Sequence, residues 1–250
     1  VIVLLNSANA VEIGDLKNDP EIDSILWIGF PGCYGMLGVS DILCGRTSPS
    51  GALPDIYATY NMSAPAMQNM GNFQYENGAD MLTRGAGQTG GTTGNYLIEA
   101  EGIYVGYRYY ETRYYDSVFG NGNAGSPVGA YASSTEWDYD KEVAYGFGYG
   151  LSYTDFTQEF EGEPEFNVST DPETGVCDAT AVFHVKVTNT GDMAGKSIVQ
   201  IYGQAPYTEG GVEKSAVQLL NFGKTDTLKP GESQVVSVEV DLQYIASYDN

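Results

Sequence analysis

Hydrophobic positions in the first part of the chain follow strand-like and helix-like patterns in turn. Val1 to Leu5 is a continuous apolar run, as expected of a parallel strand that is covered on both faces. A short helix is predicted near Val11, a second strand from Ile22 to Ile28, and a second helix from about Gly35 to Leu43. Strand, helix, strand, helix is the doubly wound pattern. Residues 1–58 are therefore predicted to be the end of an α/β sandwich domain.

Apolar and polar residues alternate through the last part of the chain, as they do in half-buried strands. Strands are predicted at residues 179–187, 196–202, 216–222 and 234–240, separated by turn sequences rich in Gly, Pro and Asn. In the last of these strands, Val236, Val238 and Val240 share one face. This spacing predicts a fibronectin type III-like or immunoglobulin-like β-sandwich over residues 151–250. A further strand is expected after Tyr248, so we expect the sandwich to be truncated.

Residues 59–150 form a long connecting region that is rich in Gly and Tyr. A structureless loop of this length is uncommon inside a compact domain, so we expect the region to pack on the α/β part. The stretch from Ile98 to Tyr115 is dense in aromatic and charged residues and is predicted to be ordered. Residues 85–94 and 120–132 are predicted to be loops.

The charge balance limits the partners that the chain can have. Its 33 acidic and 11 basic residues give a formal net charge of −22, whereas binding to phosphates needs a basic surface. Nucleic acids and anionic membranes are therefore not expected as partners, and neutral sugars remain compatible. The 20 tyrosines offer apolar faces with a hydroxyl at the tip, which suit sugar rings as well as a protein core.

The small numbers of cysteine and histidine residues argue against metal sites, a disulfide framework and a histidine-dependent catalytic triad. Cys33, Cys44 and Cys177 fit no metal-binding spacing and no disulfide framework, and they are predicted to be buried. The single histidine, His184, is predicted to lie on the polar face of a strand with Lys186. A zinc site or a Ser-His-Asp triad is therefore not expected. No metal and no cofactor is predicted.

Five stretches of the chain, spread in order over nearly its whole length, contain recognisable motifs. The stretches are VIVLLNS (1–7), ILWIGFPG (25–32) with SDILCG (40–45) and SPSGALP (48–54), EGIYVGYRYYE (101–111), YGFGYGLSYT (145–154), and VTNTGDMAGKSIVQIY (187–202) with LKPGES (228–233). Together these stretches resemble glycoside hydrolase family 3, the β-glucosidases and β-xylosidases, and in particular the C-terminal part of these enzymes.

The resemblance implies a retaining glycosidase that cleaves terminal β-linked glucose or xylose from a β-glucoside or oligosaccharide. Members of the family use an Asp nucleophile on a barrel domain and a Glu acid/base on the α/β domain, with the two carboxyl groups about 5 Å apart. The barrel lies outside these residues, and the family's acid/base lies upstream of the first strand. No catalytic residue is therefore assigned to this chain. We expect it to need the missing barrel domain and to be inactive alone.

Three aromatic residues near the end of the second predicted strand are candidate substrate contacts. Trp27, Phe30 and Tyr34 flank the strand exit, where an open α/β sheet places its ligand-facing loops. These side chains either line a substrate cleft in the complete enzyme or pack against the barrel.

Three charged residues of the EGIYVGYRYYE motif are further candidates. Arg108 lies between tyrosines and is expected to stack on them and to pair with Glu101 or Glu111. The alternative role for Arg108 is contact with sugar. Either glutamate is also a candidate acid in place of the missing one.

A different class of function stays open. The sandwich and the Tyr-rich region are compatible with a non-catalytic scaffold module that binds a glycan or a protein partner. Half of an α/β sheet would serve no purpose in such a module, which favours the hydrolase. We also expect a soluble bacterial protein, cytoplasmic or secreted, that associates with the rest of the enzyme or with a second copy of itself.

Overall fold

The computed structural model describes most of the chain. Its described residues are 1–68, 73–74, 76, 95–96, 98–99, 101–119, 137–175, 177–206, 208 and 210–247. The two loops predicted at 85–94 and 120–132, and the strand expected after Tyr248, lie outside the described residues.

The order of helices and strands divides the chain into a part that mixes both, up to β6, and a later part built of strands. The first part contains β1 (Ile2–Leu5), α1 (Gly14–Asn18), β2 (Ser24–Trp27), α2 (Gly32–Leu43) and β3 (Tyr57–Ala58). The middle contains α3 (Pro65–Gln68), β4 (Phe73–Gln74), β5 (Asn95–Tyr96), α4 (Tyr107–Tyr114), α5 (Tyr139–Glu142) and β6 (Val143–Tyr145). The last part contains β7 (Phe156–Phe160), β8 (Glu165–Thr170), β9 (Cys177–Asn189), β10 (Ile198–Gly203), β11 (Gln218–Lys224) and β12 (Ser233–Asp241).

The first two strands form the parallel pair that the sequence predicted. Ile2 of β1 aligns with Ser24 of β2, and Leu5 aligns with Trp27. One face of β1 packs through Leu5 on a small core around Ile13. The other face is not covered by the described residues, since Ile2 is 50% exposed. The expectation that β1 is covered on both faces is therefore not met in this part of the sheet.

The described residues of the connecting region contact the α/β part. Strand β3 pairs antiparallel with β6, so that Tyr57 aligns with Tyr145. The backbone N–H of Leu53 donates to the carbonyl oxygen of Tyr149 at 2.8 Å. Helix α4 contributes Tyr109 and Tyr110, both 2% exposed, to a core with Trp137. Contacts therefore cross the predicted boundary at residue 58, and the division of the chain into three segments stays a prediction.

The last part is a β-sandwich. One sheet has the order β12–β9–β7, with β8 also paired to β9, and the second sheet consists of β10 and β11. The core between them contains Val187 and Val199. Val236, Val238 and Val240 are all buried, which confirms the alternation predicted for β12.

The three cysteines lie where the sequence did not predict them. All three cysteines are exposed and free, so the prediction that they are buried is wrong, because each lies near the end of an element rather than in a core.

The single histidine, His184, is half-buried, and its Nδ1 lies 2.8 Å from the hydroxyl of Ser237. No group of three or more His, Cys, Asp or Glu side chains suited to a metal ion occurs in the described part of the chain. Within the same residues, no helix has the length and apolar character needed to cross a membrane.

Candidate functional site

Aromatic side chains connect helix α4 to the β-sandwich. The ring of Tyr107 stacks on that of Phe147 at 4.1 Å, and Phe147 meets Tyr202 of β10 edge-on at 6.4 Å. The hydroxyl of Tyr107 accepts a 2.8 Å hydrogen bond from the backbone N–H of Leu219. The short sequence YRYYETRY forms α4 because this aromatic face is buried against the rest of the chain, and intrinsic propensity would not suffice for so short a helix.

Glu111 lies inside this aromatic cluster. The hydroxyl of Tyr139 donates a 2.6 Å hydrogen bond to its Oε1 atom. Burial raises the pKa of Glu111, and the hydrogen bond from Tyr139 opposes that rise. Burial, followed by the charges of Tyr107 and Glu111, raises the pKa of Tyr202 to about 12. Burial therefore makes the charged form of this half-buried carboxyl less favourable than it is in water, and the hydroxyl of Tyr139 partly compensates.

A pocket of about 450 Å³ lies beside the cluster. It combines aromatic faces, a hydroxyl and two carboxylates, which is the mixture of groups that sugars can contact through C–H faces and hydroxyls. The indole of Trp137 forms part of the pocket wall. The guanidinium of Arg113 lies over this indole, 5.8 Å from the ring centroid. The lining residues are Tyr114, Ser117, Val118, Trp137, Asp138, Tyr139 and Asp140.

The structure separates the three charged candidates of the EGIYVGYRYYE motif. Only Glu111 joins the aromatic cluster. Arg108 is half-buried and forms no ion pair with Glu101 or Glu111, so the predicted pairing is not formed. Their spacing of three residues on α4 would allow contact, but the carboxylate of Glu111 instead accepts a hydrogen bond from Tyr139. The Oε2 atom of Glu101 is buried and makes no hydrogen bond to the described residues.

The three aromatic candidates at the exit of β2 occupy different surroundings. The indole Nε1 of Trp27 donates a 2.7 Å hydrogen bond to the carbonyl oxygen of Ser7, and its ring packs on the core around Ile13. Phe30 and Tyr34, at the start of α2, are 74% and 87% exposed. The structure therefore gives Trp27 a packing role and leaves the rings of Phe30 and Tyr34 available for contact.

A second buried polar group was not predicted from the sequence. The hydroxyls of Ser63 and Tyr110 lie 2.7 Å apart and are both buried. Burial raises the pKa of Glu142, while a hydrogen bond with Ser63 lowers it. These residues are far apart along the chain, and no local pattern marks them. The pairing of β3 with β6 brings Ser63 near Glu142, and the packing of α4 on these strands adds Tyr110.

The comparison with known families identifies the chain. The sequence model of the glycosyl hydrolase family 3 C-terminal domain matches residues 1–153, and that of the fibronectin type III-like domain matches residues 197–250. The first match covers more than half of the chain. The chain therefore belongs to glycosyl hydrolase family 3, and the resemblance inferred from its motifs is confirmed.

Curated relatives carry the name β-glucosidase. Beta-glucosidase A of Butyrivibrio fibrisolvens is 33% identical over 255 residues, which span 100% of this chain and 25% of the relative. A β-glucosidase of Ruminococcus albus is 30% identical over 250 residues, which span 100% of this chain and 20% of the relative. The chain thus spans about a quarter and a fifth of the length of these two proteins.

Solved structures of β-glucosidases have the same fold in the matched part. The crystal structure of a β-glucosidase from Paenibacillus barengoltzii superposes with a TM-score of 0.69 at 30% identity, over 100% of this chain and 21% of that chain. β-Glucosidase 3B from Thermotoga neapolitana, in complex with glucose, gives a TM-score of 0.65 at 31% identity, over 100% and 27% of the two chains. These similarities confirm the predicted combination of an α/β part with a fibronectin-like sandwich.

Proposed function

We propose that this chain is part of a larger family 3 hydrolase that cleaves terminal β-linked glucose from β-glucosides or oligosaccharides. The observation that carries the proposal is the similarity of the whole chain to relatives named β-glucosidase, at 33% and 30% identity. Xylose is the alternative sugar that the family resemblance allows. Because the chain spans only a fraction of those relatives, its function depends on residues outside it.

The proposed mechanism is the retaining one with two carboxyl groups. One carboxylate attacks the anomeric carbon while an acid protonates the leaving oxygen, and water then hydrolyses the glycosyl-enzyme intermediate. In this proposal the nucleophile is an Asp of a barrel domain, and the acid/base is a Glu that precedes the first strand of this chain. No residue of this chain then acts as a catalytic group.

The contribution proposed for this chain is one wall of the substrate cleft. Phe30 and Tyr34 follow the carboxyl end of β2 and are largely exposed, and open α/β sheets bind ligands at that end of their strands. Their rings would stack on the apolar faces of a sugar. The hydrogen bond from the indole of Trp27 to the carbonyl oxygen of Ser7 would fix the end of β2, from which this wall extends.

We assign the residues of the EGIYVGYRYYE motif to architecture and not to catalysis. Glu111 is engaged by Tyr139 within the aromatic cluster, so it is poorly placed to donate a proton to a glycosidic oxygen. Arg108 and Glu101, which form no pair with each other, stay secondary candidates for a sugar contact. Measurement of KM for Arg108→Ala and Glu101→Gln in the longer enzyme tests them.

The proposal is tested by hydrolysis of aryl β-glucoside and β-xyloside by the purified chain, alone and mixed with a family 3 barrel domain. We expect no activity alone and activity on mixing. In the longer enzyme, Phe30→Ala and Tyr34→Ala should raise KM, whereas Leu37→Ala, at an equally exposed position of α2, should not. Activity of the chain alone would contradict the assignment of both carboxyl groups to other residues.

A glycan-binding module is the second candidate function, and the pocket between Tyr114 and Trp137 favours it. Titration of the chain with cellobiose, followed by tryptophan fluorescence, distinguishes the two. Binding that is lost in Tyr114→Ala, without any activity on mixing with a barrel, would support the binding module. The bacterial origin, the compartment and the oligomeric state stay predictions, which fractionation of the native host and sedimentation would test.

A further inference from the structure

The segment that leads into β7 is anchored in the β-sandwich. The hydroxyl of Thr154, a buried residue, donates a 2.7 Å hydrogen bond to Oδ1 of the fully buried Asn189. The carbonyl oxygen of Asp155 accepts from the backbone N–H of Thr190 at 2.8 Å. Because separating buried, hydrogen-bonded polar groups is costly, we expect residues 152–155 to move together with the sandwich.

This anchored segment is also bonded to the end of helix α2 and to the turn that follows the helix. The hydroxyl of Tyr153 donates a 3.0 Å hydrogen bond to the carbonyl oxygen of Ile42, in the last turn of α2. The last carbonyl groups of a helix have no amide partner within the helix, so they accept from donors outside it. The backbone N–H of Tyr153 donates to Oγ of the buried Ser48 at 2.9 Å, and Oγ of Ser152 lies 2.7 Å from the same atom.

The turn that contains Ser48 is itself tied to α2. The carbonyl oxygen of Asp41 accepts from the backbone N–H of Arg46 at 2.8 Å, and the carboxylate of Asp41 pairs with the guanidinium of Arg46 at 2.9 Å. Strand β11 adds a further contact just beyond the turn, because Nζ of Lys224 donates to the carbonyl oxygen of Ser50 at 2.9 Å. The sandwich therefore holds the end of α2 from the segment before β7 and from β11.

The other end of α2 carries the proposed wall of the substrate cleft. The helix has 12 residues, which corresponds to a length of about 18 Å. Phe30 precedes its first turn and Tyr34 lies in that turn, whereas Ile42 lies in the last turn. Hydrogen bonds link each turn of a helix to the next, so a helix of this length moves as a unit. A shift where Tyr153 holds the helix would therefore displace the two aromatic rings.

We propose that Tyr153 and Lys224 are positioning residues of the hydrolase, through which the β-sandwich fixes α2 and so places the rings of Phe30 and Tyr34 at the substrate. This role rests on the proposed function, since it takes those two rings as the cleft wall. Groups that are held in their binding position before a ligand arrives lose less freedom on binding. Loss of either contact should therefore weaken substrate binding and leave the chemical step unchanged.

The test measures KM and kcat of the longer enzyme for an aryl β-glucoside. Tyr153→Phe removes only the hydroxyl that donates to Ile42, and it should raise KM about threefold, as expected for one partly exposed hydrogen bond, with kcat unchanged. Lys224→Met, which keeps an apolar side chain but removes the donor, should also raise KM. The control Tyr149→Phe removes a hydroxyl from the same loop, where the ring packs on Tyr145, and should leave KM unchanged.

A combined variant separates positioning from a general loss of stability. Tyr34 and Ile42 are eight residues apart on α2, about 12 Å along the helix axis, and changes at such a separation normally act independently. Added to Phe30→Ala with Tyr34→Ala, Tyr153→Phe should raise KM no further, because the rings through which it acts are gone. A KM that rises by the product of the separate effects would overturn the proposal.

The single variants distinguish failure of this proposal from failure of the proposed function. If Phe30→Ala and Tyr34→Ala raise KM and Tyr153→Phe does not, the positioning role is wrong and the cleft wall stands. If Phe30→Ala and Tyr34→Ala leave KM unchanged, the cleft wall is wrong and the positioning role falls with it.

Hydrogen exchange in the longer enzyme tests the contact between Tyr153 and α2 without reference to substrate. The amides of Cys44 and Gly45 close the last turn of α2 by donating to the carbonyl oxygens of Ser40 and Ile42. Tyr153→Phe should speed their exchange and leave exchange of buried β12 amides unchanged. Unchanged exchange at the end of α2 would overturn the proposal, because the sandwich would then not be what holds this end of the helix.

Discussion

The hydroxyl of Tyr139 donates a 2.6 Å hydrogen bond to the carboxylate of Glu111, and this pair fastens α5 to α4. Helix α4 in turn contacts the sandwich, because Thr112 Oγ1 accepts from the backbone N–H of Ala216 at 2.9 Å and Tyr107 accepts from Leu219. The Tyr139–Glu111 pair therefore stabilises the position of α4, a helix through which the α/β part and the sandwich are in contact.

Tyr139→Phe should lower the free energy of unfolding by about 1–2 kcal/mol, because it leaves a half-buried carboxylate without its donor. It should also raise the pKa of Glu111 further, since the lost hydrogen bond opposes the effect of burial. Urea unfolding of the chain measures the first effect. Tyr34→Phe, at an exposed position, is the matched control, and an equal loss in both variants would contradict the prediction.

Glu111→Gln should change how stability depends on pH. Burial raises the pKa of Glu111 above its ordinary value of 4.5, so at a pH between the unfolded-state and folded-state pKa values the folded state binds more protons than the unfolded state. The stabilisation from this group is complete below the unfolded-state pKa and is lost as the pH rises through the folded-state pKa. Glu142, whose pKa is also raised by burial, contributes with the same sign.

Unfolding free energies measured at several pH values from about 4 upward test this linkage. The wild-type chain should lose stability relative to Glu111→Gln as the pH rises above 4.5. Glu239→Gln, at an exposed position of β12, should follow the wild type in parallel. A constant difference between wild type and Glu111→Gln at all pH values would show that the folded-state pKa is not raised.

Asn189→Ala should be the most costly of these substitutions. The side chain is fully buried and donates at 2.8 Å to the carbonyl oxygens of Met193 and Leu228, and it accepts from the hydroxyl of Thr154 at 2.7 Å. Its loss leaves the buried hydroxyl of Thr154 and the carbonyl oxygen of Met193 without these partners, at roughly 1–3 kcal/mol each. The carbonyl oxygen of Leu228 keeps the N–H of Gly195. We expect a loss of at least about 3 kcal/mol in urea unfolding, and Asn167→Ala, on an exposed strand, should cost little.

Gly150→Ala should disrupt the contact that the chain makes with the α/β part after β6. A Cβ atom at this position would overlap the backbone carbonyl oxygen of Gly51. This site is next to the hydrogen bond from the backbone N–H of Leu53 to the carbonyl oxygen of Tyr149. Backbone atoms cannot give way as a side chain can, so the melting temperature should fall by several degrees, as for other overpacked sites. Gly38→Ala, in α2 with open space around it, should be neutral or slightly stabilising. Similar melting temperatures for the two variants would contradict the clash.

Local patterns in the sequence predicted the elements well. The parallel pair of β1 and β2, helix α2 and the valine face of β12 all lie close to their predicted positions. Each is encoded by residues near one another in the chain, through the period of two in a strand and about 3.6 in a helix. The motifs identified the family for the same reason, because they are short and contiguous.

Predictions that depended on partners from distant segments were less successful. Arg108 was expected to pair with Glu101 or Glu111, but the structure pairs Glu111 with Tyr139. The cysteines were expected in the core, although all three are exposed. A residue's own neighbours along the chain do not determine which distant side chain it meets, nor which side of its element faces water.

The sequence by itself determined the family, the succession of an α/β part and a β-sandwich, and the large excess of acidic over basic residues, since these depend on composition and on local periodicity. Only the tertiary structure decided that Tyr139 meets Glu111 and that Ser63 meets Tyr110. The physical reason is that burial and hydrogen bonding arise between segments far apart in sequence. Which segments meet depends on how whole sheets and helices pack.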